Sequence, residues 1–189
     1  MADVLIAILA AGQARRFGGG KLDAVLRGKP VGAWALGAAA DLGAPVVVIG
    51  GGEPLGFVPP ECRLVVNDRA SEGMGTSLAL AARLAREEGF ARLLVMLADM
   101  PFVSGATLRE LLAAEGTAAC VYGAKISGAA LGPPACFWET DFAALEALPP
   151  ERGAGAWLKA RAGLRVVRPE RRELFDIDTR ADLLDAESA

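Results

Sequence analysis

The sequence predicts an α/β protein built on a doubly wound, mostly parallel sheet with helices on both faces. Three observations carry this. Short apolar runs rich in β-branched or leucine residues recur at residues 4–9, 45–49 and 92–98. Segments with apolar residues at helical spacing lie between them. Each run ends in glycines or in Asp99-Met100-Pro101, so backbone-rich loops fall at the strand ends, the edge at which such sheets bind ligands.

The elements follow in order. Residues 4–9 form the first buried strand, which feeds the glycine loop from Gly12 to Lys21. After a turn at Arg27-Gly28-Lys29, Pro30 suits a first helical position, and residues 30–42 offer Val31, Trp34, Leu36 and Leu42 for burial. Gly43 ends that helix, and residues 45–49 are the second strand, expected to lie parallel to the first through a right-handed crossover. Residues 53–61 are rich in Pro and Gly and predict a loop or an interrupted helix. Residues 63–66 form a third strand, followed by a second glycine loop around Gly73-Met74-Gly75-Thr76-Ser77 that opens a helix to about Glu88. Residues 92–98 are the most hydrophobic remaining strand and the expected sheet centre. Ser104 caps a helix to about Glu115, and residues 118–122 are a further strand. Residues 126–134 predict a loop, 135–138 a short strand, and 140–148 a helix broken by Pro149-Pro150. A helical segment at 154–162 precedes a last strand at 164–167. Thr179, with Asp182 three residues on, begins a terminal helix with a capping box. One domain over residues 1–189 is expected.

Composition excludes several chemistries. Net charge is −3, with 20 basic and 23 acidic residues, so no general attraction to nucleic acid follows. No apolar run approaches the ~20 residues needed to cross a membrane, and Met1-Ala2-Asp3 lacks a positive n-region; a cytoplasmic protein is expected. Cys62, Cys120 and Cys136 are widely spaced and indicate neither a disulfide framework nor a zinc site. Histidine is absent, which removes Ser-His-Asp and Cys-His catalysis and imidazole metal sites. Chemistry must rest on carboxylates, basic residues, backbone and a hard cation.

Three loops at strand ends carry candidates. In the first, Gly12, Gly18, Gly19 and Gly20 expose backbone N–H groups while Arg16 and Lys21 add positive charge, a combination suited to polyphosphate. It is not a P-loop, which would need Gly at 15 and Ser or Thr at 22, where Arg15 and Leu22 stand. The dinucleotide spacing Gly-x-Gly-x-x-Gly is absent too. In the second, glycines and hydroxyls at a helix N-terminus suit a base or ribose edge, though Thr76 or Ser77 also reads as an ordinary N-cap. In the third, Asp99 can ligate Mg²⁺ or merely stabilise the bend before Pro101.

The first loop resembles the signature of the MobA-like nucleotidyltransferases, Leu-Ala-Ala-Gly-x-Ser-x-Arg-Met-Gly-x-x-Lys, closest to the molybdenum cofactor cytidylyltransferase branch. Leu9, Ala10, Ala11, Gly12, Arg16, Gly18 and Lys21 match; Ala14 replaces the Ser and Phe17 the Met. The segment 97–103 resembles the family's metal-holding Asp-x-Pro stretch, and Gly73-Met74-Gly75-Thr76-Ser77-Leu78 its Gly-Met-Gly-Ser-Ser-Leu. Phe175-Asp176-Ile177-Asp178-Thr179-Arg180 resembles Asp-Ile-Asp-Thr-Pro, with Arg180 for Pro. Asp176 and Asp178 alternate on one expected strand face, and Asp178 is the expected second metal ligand beside Asp99. Two segments depart further: Gly132-Pro133 lacks the family's His, and Gly155 stands for its Arg.

The resemblance implies a Rossmann-like nucleotidyltransferase that is Mg²⁺-dependent. Catalytic residues would be Lys21, Arg16 and Asp99, and the nucleotide would be held by Leu9, Ala10, Ala11, Gly12, Gly18, Gly73, Gly75, Thr76 and Ser77. Ala11, where guanylyltransferases have Gly, points to CTP. The implied acceptor is the phosphate of molybdopterin, with a client molybdoenzyme to receive the product. A guanylyltransferase, a sugar- or alcohol-phosphate nucleotidyltransferase, or a non-catalytic nucleotide-binding cofactor chaperone are the alternatives, the last motivated by the lost His and Arg.

Overall fold

The computed structural model describes residues 3–122 and 130–188. Among the described residues nine strands form: β1 (Val4–Ala10), β2 (Val25–Leu26), β3 (Lys29–Pro30), β4 (Val46–Gly50), β5 (Arg63–Val66), β6 (Arg92–Leu97), β7 (Ala118–Tyr122), β8 (Ala130–Trp138) and β9 (Arg165–Val167). Six α-helices accompany them: α1 (Val31–Ala40), α2 (Met74–Glu87), α3 (Gly105–Ala113), α4 (Glu139–Glu146), α5 (Gly155–Ala160) and α6 (Arg180–Ser188). Seven strands make one sheet in the order β5-β4-β1-β6-β8-β7-β9, which puts β6 at its centre. Every pairing in it is parallel except the two that β8 makes with β6 and β7.

The alternation of side chains along β1 explains why that strand is apolar throughout. Val4, Ile6, Ile8 and Ala10 enter one core with Val31, Ala35 and Ala39 of α1, Leu108 and Leu111 of α3, and Ala186 of α6. Leu5, Ala7 and Leu9 enter the other with Leu78, Ala81, Ala82 and Ala85 of α2, Phe142 and Leu145 of α4, and Leu158 of α5. A strand covered on both faces has no polar side to show, and the doubly wound expectation holds.

Two local expectations change. Residues 30–42 yield a helix over Val31–Ala40, with Pro30 closing the small antiparallel pair β2–β3 just before it. Arg27 and Gly28, at φ 48° and 80°, turn that pair as a two-residue hairpin with both central residues left-handed. The loop expected at 126–134 is corrected over 130–134, which belong to β8; residues 126–129 lie outside the described residues. The prolines misled because they normally interrupt a ladder. Here Ala119 pairs Ala135 while Cys120 pairs Gly132, so Pro133 and Pro134 occupy a bulge where no ladder N–H is required.

Candidate active site

β1 delivers the chain to the first glycine loop. Phe17, 3% exposed, anchors that loop in the core, and the N–H groups of Phe17, Gly18 and Gly19 all turn onto the carbonyl of Ala14 at 3.0, 3.1 and 3.2 Å. This corrects part of the expectation for the glycines: the Gly18 and Gly19 amides close the loop on itself. Gly18, Gly19 and Gly20 instead serve its path, with φ of 90°, 90° and 62°, values that side chains with a Cβ rarely adopt. Ala14, at φ 45°, adopts the left-handed conformation at a cost of about 1 kcal/mol. The amides of Gly12 and Gln13 have no partner among the described residues. Asp23 ties the loop's far end down by accepting the N–H groups of Gly56 and Phe57 at 3.0 and 2.7 Å.

Lys21 begins a single 3-10 turn after Gly20 and is almost buried. Its Nζ lies 2.6 Å from Asp99 Oδ2 and 3.6 Å from Asp178 Oδ1. Arg16 Nη2 reaches the other oxygen, Asp178 Oδ2, at 2.7 Å. Asp99 follows the end of β6. Asp178 arrives on an extended segment with no strand pairing, which corrects the strand expected there; what aligns it is one hydrogen bond, Ile177 N–H to the Asp99 carbonyl at 3.0 Å. Ile177 is fully buried, so its neighbours Asp176 and Asp178 face outward. Burial, together with the like charges of Asp178 and Asp99, holds the Asp176 carboxyl above the ordinary aspartate value.

Two cavities open beside this cluster. One, about 600 Å³, is lined by Ala10, Ala11, Gly12, Lys21, Asn67 and Asp68 among others. The second, about 430 Å³, touches Leu9, Ala11, Gly12, Arg15, Ser77 and Asp99. Gly73 and Met74 border it as well, so the three expected loops do converge. Arg15 lines this cavity unpaired among the described residues, whereas Arg16 is spent on Asp178.

The second glycine loop divides differently from its expectation. A Cβ on Gly73 would stand 2.4 Å from the Pro150 carbonyl oxygen, and one on Gly75 the same distance from that of Pro149. Gly75 N–H donates to the Pro150 carbonyl at 2.9 Å. These glycines admit the turn after α4, and Gly75 borders neither cavity. Thr76 Oγ1 accepts from Asn67 Nδ2 at 2.9 Å and has the Gly73 and Arg69 carbonyls at 2.8 and 3.0 Å for its own proton, so its hydroxyl is spent internally. Ser77 Oγ takes only the Asn67 amide, at 2.9 Å, and its proton remains available to the cavity. Asn67, 5% exposed, is the residue the sequence reading missed; its one signal was an amide standing directly between a strand and a glycine loop.

The arrangement fits a hard divalent cation. Carboxylate oxygens of Asp99 and Asp178 already converge on one cationic centre, the Lys21 ammonium, and such oxygens suit Mg²⁺ when substrate phosphates and water complete its shell. No group of three or more His, Cys, Asp or Glu placed to hold a metal ion exists among the described residues, so the protein alone does not form a closed cage. Burial pushes the Cys120 and Cys136 thiols up to about 12, which leaves both inert. Among the described residues no helix is long and apolar enough to cross a membrane.

Comparison with known proteins agrees with this geometry. No curated protein matches the chain. Among solved structures, Rv0371c from Mycobacterium tuberculosis H37Rv superposes with a TM-score of 0.84 at 24% identity, covering 100% of this chain and 98% of the other. A second structure of that protein is a complex with manganese, at a TM-score of 0.73 and 24% identity over 98% of each chain. A nucleotidyl transferase from Methanothermobacter gives 0.78 at 23% identity, over 98% of this chain and 96% of the other. Molybdopterin-guanine dinucleotide biosynthesis protein A from Archaeoglobus fulgidus gives 0.73 at 22% identity, over 97% of each. At these identities the likeness is one of fold. The model of the MobA-like NTP transferase domain matches residues 6–166, a span that includes the glycine loop, Lys21 and Asp99, and the chain therefore belongs to that family of nucleotidyltransferases.

Proposed function

We propose that residues 1–189 act as one cytoplasmic domain that transfers CMP from CTP to the phosphate of a molybdopterin-type acceptor, with Mg²⁺, releasing pyrophosphate. The observation that carries this is the Lys21 ammonium held between Asp99 and Asp178, with Lys21 lining one loop cavity and Asp99 the other. The free Gly12 and Gln13 amides, Arg15 and Lys21 supply the positive lining a triphosphate needs. Leu9, Ala10 and Ala11 line the two cavities and would pack against the nucleoside, with Ser77 offering it a hydroxyl. Ala11 borders both cavities, and a methyl there in place of hydrogen supports cytosine over guanine.

In the reaction, an acceptor phosphate oxygen attacks the α-phosphorus in line. The new oxygen–phosphorus bond forms as the bond to the bridging oxygen breaks, and pyrophosphate leaves with the electron pair. A phosphate monoester is already largely ionised near neutral pH, so the absence of histidine costs nothing. Asp99 and Asp178 would hold Mg²⁺, which supplies charge neutralisation on the phosphate oxygens. Lys21, whose ammonium bridges the two carboxylates, would add its positive charge to the triphosphate. Catalysis is positioning and electrostatic stabilisation.

Purified protein incubated with Mg²⁺, molybdopterin and either CTP or GTP should release pyrophosphate and form dinucleotide with CTP. Preference for GTP would overturn the inference from Ala11. Asp99→Ala in a folded protein should lower turnover at least ~100-fold; wild-type turnover would sink the metal assignment. A different phosphorylated acceptor is the second reading, and one observation favours it. A Cβ on Gly155 would stand 2.9 Å from the Leu131 carbonyl oxygen, so no arginine can replace this glycine without movement of β8.

A further inference from the structure

We propose that two copies of this chain pair through β5, antiparallel about a two-fold axis at Val65, so that their sheets run into one. β5 is the last strand of the main sheet and pairs there with β4 alone. Leu64 and Val66 on it are 43% and 49% exposed, in a molecule that leaves few other large apolar side chains among the described residues in water. An open strand edge with apolar side chains is a template for a further strand.

The backbone selects the register. Peptide groups alternate in direction along a strand, so in a parallel pair every second residue of an edge strand bonds to its neighbour. Val48 stands beside Leu64 and Gly50 beside Val66, and the Asn67 N–H donates to the Gly50 carbonyl at 2.8 Å. The odd-numbered residues here therefore bond to β4, and the N–H and C=O groups of Leu64 and Val66 point out of the sheet. One antiparallel register uses both residues in both copies. It sets Leu64 opposite Val66 of the second copy, and Val66 opposite Leu64 of the second copy, each pair exchanging both of its N–H···O bonds. Directly opposite side chains share a face, so these apolar groups cover one another.

The same register brings opposite charges together. Glu61 and Arg69 each stand four positions from Val65, so each falls opposite the other across the axis. Both are exposed, and their long side chains span the turn that follows Asn67. Val65 packs into the core beneath α2, and Arg63 pairs with Glu88 just past the end of that helix, which places the odd-numbered side chains on the α2 face. On that face a cavity of about 260 Å³ is lined by Val66, Asp68, Arg69, Thr76, Arg83 and Glu146 among others. Glu146 is neutralised by Arg86, and Arg69 shares Glu72 at the surface. Arg83 and Glu61 have no ion-pair partner among the described residues. Glu61 of the second copy supplies the carboxylate that Arg83 lacks, beside Arg69, and the two-fold axis makes the contact twice. Edge strands that avoid pairing carry charges that repel a like strand; the charges around β5 are self-complementary.

Sedimentation velocity on the whole chain, from micromolar to millimolar protein, tests this. Wild type should pass from monomer to dimer as concentration rises, the behaviour of a small interface. V66K sets a charge against Leu64 of the second copy and should weaken the dimer at least ~10-fold. E61R and R69E should each weaken it at least ~10-fold, and E61R/R69E together should restore it to within ~3-fold of wild type. All of these positions are exposed, so the variants should fold; circular dichroism checks this. A chain that stays monomeric throughout overturns the proposal and leaves β5 open to a strand of another protein. A dimer indifferent to V66K, or one that the double reversal fails to restore, overturns it as well.

Discussion

The Arg180 guanidinium lies over the Phe17 ring, 5.0 Å from its centroid. Both residues are departures from the family pattern, Phe17 standing for Met and Arg180 for Pro in motifs more than 160 residues apart, and the structure joins them. Together with the Arg16–Asp178 ion pair, the contact fastens the phosphate loop to the start of α6. A double-mutant cycle of Phe17→Met and Arg180→Pro is complicated by the backbone, so Arg180→Ala is the better partner. We expect a coupling of about 0.5–1 kcal/mol in urea denaturation. Strict additivity would show that the two substitutions are independent and the stacking incidental.

Lys21 bridges Asp99 and Asp178, so a metal entering between those carboxylates must displace its ammonium. Lys21→Met removes that competitor and leaves two carboxylates facing each other. The apo variant should be less stable than wild type, bind Mn²⁺ more tightly without nucleotide, and gain more thermal stability from it. It should nevertheless fail to transfer, because the triphosphate loses its lysine. Mn²⁺ titration followed by electron paramagnetic resonance reads the affinity; weaker binding than wild type would mean that the metal lies elsewhere.

The Gly-Met-Gly segment separates structural from ligand roles. A Cβ at Gly75 would meet the Pro149, Arg152 and Pro150 carbonyl oxygens at 2.4, 2.6 and 2.8 Å, all backbone atoms with little freedom to yield. Gly75→Ala should cost about 3 kcal/mol and lower the melting temperature by roughly 6–12 °C. Ser77→Ala should cost less, about 1 kcal/mol for the Asn67 hydrogen bond it loses, while weakening nucleotide binding. Calorimetry on the two variants would expose the error if Gly75→Ala melted like wild type.

What was legible in the sequence follows from the range of the forces involved. Binary pattern is local, so β1, β4 and, after Arg92, β6 were readable as apolar runs, and the Thr179–Asp182 capping box, seen at 2.6 Å for the Thr179 N–H, needed only residues three apart. β8 was not readable past Ala135, because its two prolines are accommodated by a bulge defined by β7. The loop residues Lys21 and Asp99 were found through pattern, and their meeting across a sequence separation of 78 follows from parallel β1–β6 pairing. By contrast, the self-closing of Gly18 and Gly19 onto Ala14 depends on left-handed dihedrals that no residue spacing announces. Asn67 was missed for a related reason: its role lies in hydroxyls that a helix start brings to it from nine and ten residues on.

Glu173 provides a pH test away from the reacting cluster. Burial alone would raise its pKa, but hydrogen bonds from the Ser104 and Glu170 backbone and the Thr107 hydroxyl outweigh it, and the carboxyl lies below the ordinary glutamate value. The unfolded chain thus binds a proton at Glu173 before the folded one does. Its stabilising contribution is complete above the unfolded value of roughly 4.3 and is lost as pH falls through the lower folded value. Glu173→Gln removes the titration and retains one accepting oxygen. Its stability, followed by urea denaturation from pH 6 down to 3, should be lower than wild type at pH 6. The two curves should converge as pH falls through the lowered folded value. Parallel curves throughout would mean that Glu173 titrates alike in the folded and unfolded chains, and that its bonds to the N-terminus of α3 add no charge-dependent stability.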